Sequence, residues 1–176
     1  MKLYHYIHKN NNALTCGIMS FAQNRQADLS YYYKRSGGKT THAEIVKWME
    51  SCFVGRSRGI RGFTEPIRWS EHNRKCLKYF NDECDCFAID IDALKHDELL
   101  EAVYVSPSVM EQSPPNTEND VDELLLKLNN VEDIDYTPID WNICDDATGK
   151  RFAYVRYYLI VVKGGIIPPQ YITLQK

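Results

Sequence analysis

Residues 55–62 read GRSRGIRG, so Arg56, Arg58 and Arg61 ride on glycine-rich backbone, with Arg68 and the pair Lys34-Arg35 nearby in sequence. Guanidinium groups on such backbone suit planar, bidentate contacts to phosphates, and Tyr31, Tyr32, Tyr33, Phe63 and Trp69 are of the types that stack a base or nicotinamide ring. The functional reading is a nucleotide or nucleic-acid phosphate; the plain one is a solvated loop face that offsets an acidic segment elsewhere. Gly38-Lys39-Thr40 matches the end of a phosphate-binding loop, in which backbone amides cradle phosphates while a lysine and a hydroxyl serve the terminal phosphate and magnesium. The full pattern needs a glycine where Tyr33 stands and a buried strand before it, so an ordinary glycine turn ahead of a helix accounts for the same residues. His72, Cys76, Cys84 and Cys86 are zinc-ligand types, but their H-x3-C-x7-C-x-C spacing is not that of a closed zinc site, and Asp82, Glu83 and Asp85 crowd the loop with carboxylates. An acidic, hairpin-like turn with two thiols explains them equally. A Cys-His nucleophile pair is available by inventory, with no spacing that pairs it.

Charge places these groups on a divided molecule. The 176 residues carry a formal net charge of -3, but residues 25–79 hold 12 basic and 5 acidic side chains, net +7, and residues 111–146 hold 1 basic and 11 acidic, net -10. Apolar residues make up 44% of the chain and charged ones 26%, enough for a real core, which excludes disorder and collagen-like structure. The opening MKLYHYIHKNNN turns polar within eight residues, and the longest strongly apolar run, Leu159 to Val162, is too short to cross a bilayer. The expectation is a protein without membrane insertion, in the cytoplasm or delivered into a host cytosol. The six cysteines are then reduced thiols.

The elements that must position these residues follow from pattern. Leu3 to Ile7 has strand composition, Asn10-Asn11-Asn12 breaks it, and a short helix is predicted over residues 13–19. Residues 27–41 read as an irregular aromatic stretch ending in a turn. Residues 41–52 form a helix, with Ile45, Trp48, Met49 and Cys52 at helical spacing and Thr41 and Glu44 in a capping-box arrangement. Pro66 restricts residues 63–69 to an edge strand or bulge, and a helix is expected over residues 70–80. Strands are predicted at residues 87–91 and 102–106 with a helix over 92–101 between them. Ser113-Pro114-Pro115-Asn116 breaks the chain, residues 120–128 show a helical apolar face, and the acidic residues 131–146 read as loop. Residues 151–162 are β-rich enough for a central strand, and Gly164-Gly165 turns the chain into its closing segment. Strands and helices mix without regular βαβ alternation, which points to a single α+β domain over residues 1–176.

Leu3-Tyr4-His5-Tyr6-Ile7 followed by Ala13-Leu14-Thr15-Cys16-Gly17-Ile18 resembles the opening of ADP-ribosyltransferase-like proteins, including the RNA 2'-phosphotransferase and DNA-modifying toxin branches. There a first strand reads LYH plus a small polar residue, before a helix carrying IL-x-x-G-I/L. Tyr158 to Val162 with Ile167-Pro168-Pro169-Gln170-Tyr171-Ile172 is similar to the last strand and IPPEYI exit of the toxin branch, and Gly62 to Ile67 is the candidate second strand. The resemblance implies a split, twisted antiparallel β core with peripheral helices around NAD. It makes His5 the partner of the nicotinamide-side ribose and a tyrosine the stacking partner of nicotinamide, with Tyr6 and Tyr32 as candidates and Tyr31 and Tyr33 left open. The family's catalytic glutamate at the start of the last strand has no counterpart in Val155-Arg156-Tyr157-Tyr158. Either Glu65 or an acidic-segment residue serves instead, or the chain is a degenerate or phosphotransferase-like member working with arginines, Arg156 joining Arg56 and Arg61 on phosphate. For His5 the alternative is a half-buried strand histidine bonded to backbone. The implied function is an NAD- or nucleotide-phosphate-binding toxin or effector with a protein or nucleic-acid target and no metal. The other readings are a non-catalytic interaction module with opposed basic and acidic faces, and a nucleic-acid-acting enzyme.

Overall fold

A computed structural model describes residues 1–52, 56–67, 81–106, 125–140 and 156–176. In chain order these form β1 (Lys2–His8), α1 (Ala13–Cys16), β2 (Ile18–Met19), α2 (Ser30–Arg35), α3 (His42–Cys52), β3 (Gly59–Gly62) and β4 (Cys84–Asp90). They continue with α4 (Ile91–His96), β5 (Leu100–Ser106), β6 (Leu126–Lys127), β7 (Tyr157–Val162), β8 (Ile166–Ile167) and β9 (Ile172–Gln175). The described strands make three antiparallel sheets, ordered β1-β4-β9, β3-β7-β5-β6 and β2-β8, an α+β arrangement.

All six residues of β7 are buried, as expected of a strand covered on both faces. Tyr158, Ile160 and Val162 face a large core with Leu3, Phe87, Ile89, Ile91 and Leu94, while Tyr157 and Leu159 face a smaller cluster with Phe63 and Ile67. The β-rich run predicted for a central strand is one, in its described part. The two larger sheets meet at one bridge, where Tyr4 and Phe63 exchange backbone hydrogen bonds of 2.7 and 2.9 Å. Gly62 permits that approach, because a Cβ there would lie 2.9 Å from the Leu3 Cβ. The third sheet joins the chain's two ends, pairing Ile18 with Ile167 and Met19 with Ile166.

Several local expectations are corrected. The helix expected over residues 13–19 stops at Cys16, because Gly17 takes φ +82° and releases the chain into β2. The tyrosine stretch expected to be irregular is helical in α2, with Asp28 Oδ1 accepting from the Ser30 amide at 2.9 Å. Half of the glycine loop is strand β3. Cys84 and Cys86 sit in β4 rather than in a hairpin turn. Leu126 and Lys127 pair with β5 instead of extending a helix; residues 120–124 and the helix expected over residues 70–80 lie outside the described residues.

Candidate functional site

A cavity of about 550 Å³ opens beside β1. Strand alternation sends His5 and Ile7 to its wall from the side of β1 that also carries the buried Leu3. Asn12, Ala13 and Gly17 line it from the single turn of α1, and Asn11 sets that turn: its Oδ1 accepts from the Ala13 amide at 3.0 Å while its Nδ2 donates to the His8 carbonyl at 2.8 Å. Gly17 is required here by space as well as by torsion, since a Cβ would fall 2.2 Å from the Ile167 carbonyl oxygen.

The remaining wall is the loop from Met19 to Gln26, tied down at several points. Ser20 N–H donates to the Gly165 carbonyl at 2.8 Å and Ala22 N–H to the Ser57 carbonyl at 2.7 Å. His42 of α3 stacks on Phe21 at 5.0 Å and donates from Nε2 to the Phe21 carbonyl at 2.8 Å, and Tyr32 of α2 meets the same ring edge-on at 4.8 Å. Tyr32 therefore supports the loop and does not line the cavity.

His5 is the chemically distinctive group on the wall. Its Nδ1 lies 2.6 Å from the Arg61 carbonyl, and a carbonyl only accepts, so Nδ1 carries the proton and Nε2 bears a lone pair. Loss of surrounding water lowers its pKa to about 4; the backbone bond to Arg61 opposes this and the nearby Arg61 charge adds to it. The ring is thus neutral at pH 7, and Nε2 has no protein partner among the described residues. The expectation of a strand histidine bonded to backbone holds on the Nδ1 side, and the ring lines the cavity.

The other sequence candidates are distributed elsewhere. Tyr6 points from the opposite face of β1 into the Phe63–Ile67–Tyr157–Leu159 cluster, where its hydroxyl accepts from the Ile67 amide at 2.9 Å. Burial pushes its pKa up, with the neighbouring Cys86 acting in the same direction. Arg61 lays its guanidinium over the Tyr157 ring at 4.2 Å, Arg156 is ion-paired with Asp135, and Arg58 pairs with Glu101 at 3.1 Å. Arg56 belongs to the turn before β3, where Glu50 Oε1 accepts from the Ser57 amide at 3.1 Å and from its hydroxyl. Glu65 lies on the bend after Phe63, half-buried and off the cavity wall. Lys39 donates to the Ser36 carbonyl at 2.8 Å, and the element before Gly38 is helix α2 rather than the strand a phosphate-binding loop needs. Among the described residues no acidic, cysteine and histidine side chains cluster as metal ligands; His72 and Cys76 lie outside them.

Of the proposed site residues, His5 lines the cavity, and Arg61 is joined to it through the carbonyl that holds the His5 ring. Arg25, Asn24 and Gln26 line the cavity without having been singled out in the sequence, where Arg25 figured as the first residue of the basic stretch and no motif marked its loop. Among the described residues no carboxylate lines the cavity. No protein-family model, curated protein or solved structure matches the chain.

Proposed function

We propose that the cavity beside His5 is a nucleotide site, and that the chain is an ADP-ribosyltransferase-like domain that binds NAD there and acts as a toxin or effector on a protein or nucleic-acid target. The observation that carries this reading is His5 itself: a neutral imidazole, fixed through Nδ1–H to the Arg61 carbonyl, with Nε2 left to accept a hydrogen bond on a cavity wall. An acceptor fixed in this way suits a ribose hydroxyl, which donates. The cavity, about 550 Å³, falls within the size range of small-molecule sites. Two further observations support the reading. The opening and closing segments that carry the family resemblance come together in the Ile18–Ile167 pair, and that junction forms the floor beneath Gly17. The two large sheets meet at the Tyr4–Phe63 bridge, one residue from His5.

Transfer from NAD also needs a carboxylate to steady positive charge developing on the ribose. The sequence candidates for that role are Glu65, which lies on the bend after Phe63 and off the cavity wall, and a residue of the acidic segment.

Saturating NAD raises the melting temperature of the wild-type protein in this reading, because a ligand at a hundred times its Kd stabilises the folded state by about 2.7 kcal/mol. His5→Ala abolishes that shift while circular dichroism shows the fold intact. No shift in the wild type overturns the NAD site, and a full shift in His5→Ala overturns the role of His5. For the chemical step, Glu65→Gln keeps NAD binding and loses NAD cleavage; equal cleavage by both proteins removes Glu65 from catalysis.

A further inference from the structure

Four of the described cations on which phosphate binding was expected to rest are already engaged: Arg58 with Glu101, Arg156 with Asp135, Arg61 over Tyr157, and Lys39 on the Ser36 carbonyl. Arg25 differs from them in two ways. It lies on the cavity wall, and its guanidinium has no ion pair or hydrogen bond among the described residues. Its neighbours on that wall, Asn24 and Gln26, add side-chain amides; Asn24 Oδ1 accepts from the Gln26 amide at 3.3 Å, a bond that does not use the Asn24 NH2 donors. No carboxylate lies on the described wall.

A cavity with a hydrogen-bond acceptor at His5 and an unengaged guanidinium among amide donors at Arg25 is matched by a ligand carrying both a hydroxyl and an anion. We propose that Arg25, rather than the arginines of the glycine loop, binds the phosphate oxygens of a phosphorylated riboside in this cavity. This rests on the reading of the cavity as a nucleotide site and adds to it the residue that selects the anionic part of the ligand. A guanidinium presents parallel N–H donors to two phosphate oxygens, a geometry that lysine cannot reproduce. Arg25→Lys is therefore expected to restore charge without full affinity.

The test is titration calorimetry of wild type, Arg25→Ala, Arg25→Lys and Lys127→Ala with NAD, ADP and inorganic pyrophosphate at two salt concentrations. Lys127, on β6, removes one positive charge away from the cavity. Support is a loss of tenfold or more in NAD affinity in Arg25→Ala, partial recovery in Arg25→Lys, wild-type affinity in Lys127→Ala, and a weaker salt dependence in Arg25→Ala than in wild type. Arg25→Ala binding NAD within twofold of wild type overturns the assignment and leaves the NAD reading standing. Arg25-dependent binding of ADP or pyrophosphate without NAD binding upholds the assignment and overturns the NAD reading. A wild type that binds none of the three overturns both.

Discussion

His5 sits at neutral charge where an exposed histidine would be partly protonated, and this has a measurable sign. Its pKa is about 4 in the folded chain against an ordinary 6.5, so between those values the unfolded state binds the proton and the native state does not. The contribution is fully present above pH 6.5 and declines as pH falls toward 4, by up to about 3 kcal/mol. Asp135 and Glu44, held below the usual carboxylate range by hydrogen bonds from Thr137 and Thr41 respectively, also lose stability on acidification, so a total curve does not isolate His5. His5→Asn does: it keeps an N–H for the Arg61 carbonyl and cannot titrate. Urea unfolding at pH 7 and pH 4.5 is expected to show a smaller drop for His5→Asn than for wild type, and equal drops would refute the assignment. At this scale the sequence was partly legible. His5 stood out because its strand and neighbours were readable locally, whereas the engagement of Arg58 and Arg156 depends on Glu101 and Asp135, partners brought in by the fold across long stretches of chain. Tyr6 was a stacking candidate through the resemblance, and alternation along β1 sends it to the other face.

The elements differ in how far their own sequence determines them. Helix α3 was readable because its capping box is local: Glu44 N–H donates to Thr41 Oγ1 at 3.3 Å, and Thr41 N–H to Glu44 Oε2 at 3.1 Å. Strand β7 was readable because a β-branched and aromatic run buried on both faces has no polar alternation to confuse it. Helix α2 was not, since three consecutive tyrosines favour helix weakly and the packing of Tyr32 on Phe21 is a tertiary contact. Nor was β6: Val121, Leu124, Leu125 and Leu128 give a helical apolar pattern in sequence, yet Leu126 and Lys127 pair with Val105 and Tyr104. Two substitutions separate element stability from site integrity. Asp90→Ala removes the N-cap of α4, whose carboxylate accepts from the Ala93 amide at 3.0 Å, and is expected to cost about 1 kcal/mol in chemical denaturation without altering the NAD-induced shift. Gly17→Ala drives a methyl into the Ile167 carbonyl at a positive φ. It is expected to cost about 3 kcal/mol or more and to abolish the NAD-induced shift in whatever fraction remains folded. A Gly17→Ala protein with wild-type stability would mean that the β2–β8 junction yields more easily than its spacing implies.

For the molecule as a whole, the α+β class followed from the irregular mixture of strands and helices, while the three-sheet layout did not, because pairing between distant strands leaves no local signature. The divided charge of the sequence is partly reconciled in the fold: Lys95 pairs with Glu132 and Arg156 with Asp135, each joining a cation from outside the acidic stretch to a carboxylate within it. Ion pairs as exposed as these stabilise little, so raising sodium chloride from 50 to 500 mM should shift the melting temperature by no more than about 2 °C. A nucleic-acid target held over residues 25–79 would behave differently, its affinity in fluorescence anisotropy falling steeply with salt through counterion release; a flat profile excludes that class of target. The hydrogen bond that orients His5 ends on the carbonyl of Arg61, not on a side chain. Every L-amino acid supplies that oxygen, so mutational scanning at position 61 would score the site as tolerant while it depends wholly on register: Arg61 faces Leu159 across β3 and β7, and a slip of one residue would present a different carbonyl to the imidazole. Inheritance of this contact is carried by the pairing of two strands, and a lesion in either, far from the cavity in sequence, would be read out as a loss of ligand.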